Sequence, residues 1–285
     1  MASSYEQVND VSIWWFPPDF SQSRFGDYQE SGSNSCTLIS LLIADKINKT
    51  LSFSQEATTL PSLAWDIIGK AINDGNKVYH DLISGTLNLN IPDAISAIIS
   101  HEHIDFQLEE WFYTQVFINN RGFDSISMQL SHILQTSLKI YQQPYDWEIP
   151  SHLFAALIAD CRTVIICLDL RTSIAAFVDP HQHGEQAGLV FAHVKLKHLD
   201  DLMYWYITML DDIYASHPDM IEIAFLSSLN DVAVRIPPAF DTCVYEFDHS
   251  LIKGSEKLDC LTDSEEHALP EKHATPVLSQ YYLTC

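Results

Sequence analysis

The sequence predicts an α+β fold: a helical first half, then an antiparallel sheet, then a further helix. Three observations predict it. Helix candidates occupy residues 36–48, 61–74, 92–101, 127–138 and 150–160, and three of them begin at a proline, the favoured first helical position. From residue 163 the pattern changes to short, β-branched apolar runs separated by turns. An amphipathic stretch, KHLDDLMYWYITML, follows. Helices segregated from antiparallel strands are the α+β arrangement. With 285 residues, 47% of them hydrophobic, the chain has ample material for one large core with appendages.

Taken in order, residues 1–12 read as a polar leader. VSIWWFPPDF is aromatic, and its two prolines forbid a regular helix, so an extended arm is expected there. The main domain is expected over 13–248. TVIICLDL (163–170) reads as a buried strand, Arg171 and Thr172 as a tight turn, and SIAAFVDP (173–180) as a second strand. HQHGEQAG reads as a loop, LVFAHV as a third strand and MIEIAFLS as a last one. From His249 the chain turns polar, and 249–285 are expected to form a flexible tail.

Fifteen basic against 38 acidic residues give a formal net charge of −23. Such a chain repels nucleic acid and anionic lipid, and suits a partner with a basic face or simply solubility. No apolar run approaches the roughly 18 residues of a membrane span. MASSYEQVND lacks the basic and apolar regions of a secretory signal, so none is expected. The six cysteines, Cys36, Cys161, Cys167, Cys243, Cys260 and Cys285, show no CxxC spacing. A zinc ribbon or disulfide scaffold is therefore not expected, and an intracellular setting, cytoplasmic or nuclear, is. No cofactor is expected.

Two short stretches carry chemistry. In SGSNSCTLISLLIADKI the residues Ser33, Asn34 and Ser35 are all good N-cap residues, so Cys36 falls at the first turn of a helix. The free N–H groups and positive dipole end there favour thiolate over thiol and can hold an oxyanion. The helix behind it is apolar almost all round, as a buried helix must be, and Thr37, Ser40 and Ala44 give it one small face. A buried, inert cysteine is the competing reading. In AFVDPHQHGEQAG, strand alternation puts Asp179 and His181 on one face with Cα atoms about 6.6 Å apart. The carboxylate can then orient the imidazole. The competing readings are an ordinary polar turn, or a metal site built from Asp179, His181, His183 and His193. His183 is otherwise merely the next residue of the loop. HEH at 101–103 reads as a helix end.

The stretch FVDPHQHGEQAGLVFAHVKLKHLDDLMYWY resembles the closing segment of the herpesvirus large tegument protein deubiquitinases, which are papain-like cysteine proteases. In that family a strand ends in Asp-x-His, a Gly-containing loop leads to another strand, and a helix follows. The family's nucleophile segment has a glutamine, then Phe-Gly, then a Gly-Ser-Gln-Cys-like stretch opening the central helix. QSRFGDYQESGSNSC is similar, through Gln22, Phe25-Gly26, Gly32-Ser33 and Cys36. Two departures stand out. Asn34-Ser35 precede the cysteine where the family has glutamine, and the Phe-Gly to Cys spacing is longer.

The resemblance implies a papain-like fold in which a central nucleophile helix packs on the antiparallel sheet. It implies a thiol protease hydrolysing ubiquitin or ubiquitin-like C-terminal linkages, with Cys36 as nucleophile, His181 as base and Asp179 orienting it. Gln22, or its rival Gln29, would supply the oxyanion donor. The alternative is a catalytically inactive pseudo-enzyme of the same fold that serves as a protein-interaction module.

Overall fold

The computed structural model describes residues 3–29, 34–50, 60–82, 88–118, 122–142 and 151–229. Gly32, Ser33 and the tail expected over 249–285 lie outside them. The α+β expectation is met. Eight strands form one sheet: β1 (Ser4–Val8), β2 (Val11–Trp15), β3 (Leu108–Phe117), β4 (His152–Ala159), β5 (Arg162–Asp169), β6 (Ile174–Asp179), β7 (Val190–Lys195) and β8 (Met220–Ser228). Their order is β1-β2-β7-β6-β5-β4-β8-β3, and every paired neighbour is antiparallel.

Both faces of the sheet are covered. Helices α1 (Cys36–Thr50), α2 (Ser62–Leu82) and α3 (Ile91–Ser100) share one core with Phe154, Ala156, Ile165, Cys167, Ala176 and Val178. Helices α4 (Phe123–Tyr141) and α5 (Leu199–Tyr214) share the other with Leu153, Ala155, Leu157, Val164, Ile166 and Phe177. Successive strand residues thus feed opposite cores, as the period of two requires.

This explains the largest departure from expectation. Residues 150–160 were expected to be helical; 152–159 form β4, flanked by β5 and β8 in the middle of the sheet. HLFAALIA is buried on both faces, so it shows no alternation, and a strand of that kind reads as a continuous apolar run. Its alanines further favour helix locally, and the ladder on both sides overrides that propensity. Strand β3, LEEWFYTQVF, was not expected at all. It is an edge strand, half exposed, with a register shift between Glu110 and Phe112 that breaks its periodicity.

The residues read as a polar leader supply β1 and the start of β2. Val11 and Ile13 are fully buried in the α4–α5 core. The aromatic stretch is extended, as expected, and β2 continues the sheet by pairing with β7. Phe16 and Phe20 stack at 5.0 Å between ring centres, and both contact Trp65 of α2. This cluster anchors residues 16–25, which the site below requires in a fixed place. Among the described residues no helix is long and apolar enough to cross a membrane.

Candidate active site

Cys36 is the first residue of α1. Ser35 precedes it, and its carbonyl accepts the Ile39 N–H at 2.9 Å. The helix is buried almost all round, as its composition predicts. Its small polar face lets β5 approach. Thr37 and Thr163 hydroxyls lie 2.8 Å apart, and the Ser40 hydroxyl donates to the Thr163 carbonyl at 3.0 Å. The Cys36 thiol faces the Cys161 carbonyl at 3.7 Å, at the hairpin turn where Asp160 and Cys161 both have positive φ.

Asp179 and His181 meet, though not through strand alternation. Strand β6 ends at Asp179, and the chain then turns. The Asp179 carboxylate Oδ1 accepts the His181 backbone N–H at 2.9 Å and lies 2.5 Å from its ring Nδ1. An Asx turn, aspartate bonding the N–H two residues on, therefore sets the imidazole's position. The His181 imidazole and the Cys36 thiol bear on one another's charge, the imidazole favouring the thiolate. Positions 179 and 181 are thus paired directly, and the pair acts electrostatically on position 36.

The electrostatics follow from burial and pairing. Burial pushes the Cys36 thiol up, but the hydrogen bond and charge of His181 outweigh it and the thiol ends below its ordinary value. Burial opposes charge on His181, yet the adjacent Asp179 carboxylate raises the imidazole to about 10. Burial likewise opposes charge on Asp179, and the two facing histidines hold its carboxyl well below the usual carboxylate range. By contrast, Cys167 is pushed well up by burial and by the nearby Asp169. An environment favouring thiolate therefore distinguishes Cys36 from Cys167.

Gln22 is tied to the turn that carries Asp179 and His181. Residues 16–22 are zipped to the loop after β6 by backbone bonds: Phe16 N–H to Leu189, Gly188 N–H to Phe16, Leu189 N–H to Phe20, and Gln22 N–H to Pro180 at 2.9 Å. Gln22 is buried and bonded to the residue between Asp179 and His181. Gln29 is exposed, and its amide donates to the Gly26 carbonyl. Gly188 is needed here, because a Cβ would stand 2.2 Å from the Pro17 carbonyl oxygen and 2.4 Å from that of Phe20. The Phe25-Gly26 pair also has a local role. Phe25 lies against Gly69 of α2, and Gly26, at φ +86°, sits where a Cβ would collide with Asn73.

Sequence reasoning missed Asn76. This buried residue of α2 accepts the Ser35 hydroxyl at 2.5 Å and donates from Nδ2 to the Gln22 carbonyl at 2.7 Å. It thereby ties the residue before Cys36 to Gln22, which is itself tied to Pro180. The only local signal was a polar residue on the buried face of an amphipathic helix, which does not name its partners. His183 was also undervalued: it is buried and faces the second Asp179 oxygen.

The metal arrangement weighed for Asp179, His181, His183 and His193 is not what the side chains form. The two imidazoles bond opposite oxygens of one carboxylate. His193 stands on β7 against Trp14, and burial lowers it to about 4. Among the described residues the ligand atoms that lie close together belong to Asp10, His198 and Asp201.

No protein-family model matches the chain, and no curated protein sequence does. Among solved structures it is similar to the Pseudomonas avirulence protein AvrPphB, with 11% identity over 73% of this chain and 100% of that one, at a TM-score of 0.40. It is also similar to the ubiquitin-specific protease encoded by a murine cytomegalovirus tegument protein, solved with a ubiquitin-based suicide substrate. There the identity is 11% over 75% of this chain and 84% of that one, at a TM-score of 0.43.

Proposed function

We propose that this chain is a papain-like cysteine protease of the deubiquitinase type. The observation that carries the proposal is the bonded pair of Asp179 and His181 acting on Cys36, whose thiol is held below its ordinary pKa at a helix N-terminus. Cys36 sulfur attacks the carbonyl carbon of a C-terminal linkage, and the C=O electron pair moves to oxygen. The Cys36 backbone N–H and the Gln22 side chain receive that oxyanion. Collapse breaks the C–N bond, and His181 protonates the leaving amine. Water, deprotonated by His181, then cleaves the thioester, releasing a carboxylate and the thiol. Asp179 keeps the imidazole aimed throughout. Ubiquitin or a ubiquitin-like protein is the substrate implied by the resemblance around Gln22, Cys36, Asp179 and His181. The net charge of −23 suits a substrate with a basic recognition face and acts more on encounter rate than on affinity.

The test is labelling with a ubiquitin bearing a C-terminal electrophile, on wild type and Cys36→Ala. A one-to-one adduct on Cys36, absent in the variant, is the expected result. Reaction of Cys36 with iodoacetamide at about pH 6 but not with the ubiquitin probe would overturn the substrate assignment. Reaction with neither would overturn the enzyme assignment and leave an interaction module.

The two glutamines give a second check. Gln22→Ala is expected to lower turnover roughly 10²–10³-fold while leaving the melting temperature nearly unchanged. Gln29→Ala, on an exposed side chain, should leave turnover within about twofold. Full activity in both variants would remove Gln22 from the mechanism.

A further inference from the structure

His183 lies beyond the pair of Asp179 and His181, yet its environment is as specific as that of His181. Its side chain is fully buried. Its Nε2 lies 3.2 Å from Asp179 Oδ2, and its Nδ1 lies 2.7 Å from the Gly188 carbonyl oxygen. Each ring nitrogen thus faces an oxygen acceptor, one from a side chain and one from the backbone. The ring packs between Trp15 of β2 and Tyr214 of α5, at 5.2 and 5.6 Å between centres. The backbone N–H of His183 donates to the Ala187 carbonyl at 2.9 Å. Tyr214 fixes the preceding residue, donating its hydroxyl to the Gln182 carbonyl at 3.1 Å, while Arg162 of β5 stacks on the Tyr214 ring at 4.1 Å. The titratable and charged groups around this point are Asp179 and His181, Tyr206 and Tyr214 of α5, Arg162 of β5 and Asp160 of the β4–β5 turn.

We propose that His183 is a positioning residue of this site, clamping Asp179 Oδ2 so that Oδ1 stays aimed at His181. The proposal rests on the cysteine-protease reading above. Its physical basis is the softness of a carboxylate torsion. The terminal χ angle of aspartate is broad and roughly two-fold, so nothing intrinsic to Asp179 chooses which oxygen faces His181. Oδ1 already accepts both the backbone N–H and the ring of His181. A donor on Oδ2, itself held by Gly188 and two aromatic rings, stops the rotation that would release them. Gly188 is in turn fixed by the zipper to residues 16–20, so the clamp and the Gln22 segment share one frame.

The experiment uses the full chain with His183→Phe, His183→Leu and His183→Gln. Phenylalanine keeps a ring between Trp15 and Tyr214 but removes both ring nitrogens; leucine is the second non-donor; glutamine restores an N–H toward Asp179. The first readout is the pH midpoint of iodoacetamide labelling at Cys36, taken on samples whose folding is verified by circular dichroism. The second is kcat and KM on a ubiquitin C-terminal fluorogenic substrate. In the non-donor variants the midpoint should rise by about one unit, a tenfold loss in the thiolate ratio. Their kcat should fall roughly tenfold or more, with KM little changed, and His183→Gln should recover most of both. A lowered melting temperature with an unmoved midpoint would mean that His183 only packs, and would overturn the clamp. So would a glutamine variant no better than phenylalanine. A shifted midpoint in a chain whose wild type turns over no substrate would leave the clamp standing and defeat the protease reading. Turnover with an unmoved midpoint would do the reverse.

Discussion

His181→Ala is expected to abolish turnover, lowering it by roughly 10⁴–10⁶-fold, since groups that act as one unit fail together. The imidazole is bonded to Asp179, and its charge acts on Cys36. Removing it takes away the acceptor for the thiol proton, the charge that holds the thiolate, and the donor to the leaving amine. Burial then acts on Cys36 against the Thr163 hydrogen bonds alone, without the larger effect of His181, and pushes its thiol up. Two measurements check this. Turnover should vanish, and iodoacetamide labelling of Cys36 at about pH 6 should slow at least tenfold. Unchanged labelling would show that His181 does not control the thiol. The variant should still fold, because Asp179 keeps its bond to His183 and the ring of His181 lies at the end of the sheet rather than in either core.

Asp179→Asn should give the second largest effect, a loss of turnover of roughly 10³–10⁴-fold with the fold retained. The amide is nearly isosteric, and its oxygen can still accept the His181 backbone N–H. It no longer stabilises the imidazolium, and it can hold the wrong tautomer. The same substitution carries a signature in stability against pH. His181 has a folded value of about 10, above its ordinary 6.5. Its contribution is therefore complete below pH 6.5 and is lost as pH rises through about 10. Asp179 lies below its ordinary 3.8, so its contribution is present above that value and is lost as pH falls through its lower folded value. The excess stability of wild type over Asp179→Asn should thus be greatest between about pH 4 and pH 6.5 and shrink on either side. Melting temperatures of both proteins across pH 3–10 read this directly. A difference that is flat with pH would show that the carboxylate and imidazole are not paired in solution, and would remove Asp179 from the proposed site.

Both ends of the proposed site were legible as local patterns. Cys36 could be placed at a helix start because capping residues and an all-apolar run are local signals, set within a few residues along the chain. Asp179 and His181 could be paired because one residue separates them, and any compact backbone keeps such neighbours within reach. The strands after residue 163 were legible for the same reason, through β-branched runs bounded by turns. The mistake at 150–160 has the matching cause: a strand buried on both faces has no period to read, and only its ladders to β5 and β8 tell it from a helix. Pairings across long sequence separation emerged from the packed fold alone. The zipper of residues 16–22 onto 180–189, the burial of Gln22 against the exposure of Gln29, and the link from Ser35 through Asn76 to Gln22 all depend on which elements pack together. The turn at Pro180 likewise replaced strand alternation as the device that aims His181. His183 shows the limit most clearly. One polar loop residue among several in the sequence, it becomes a partner of Asp179 only when Trp15 and Tyr214, from two distant segments, and Gly188 of its own loop close around its ring. Local patterns are written into neighbouring residues, whereas burial and hydrogen-bond partners are properties of the packed whole.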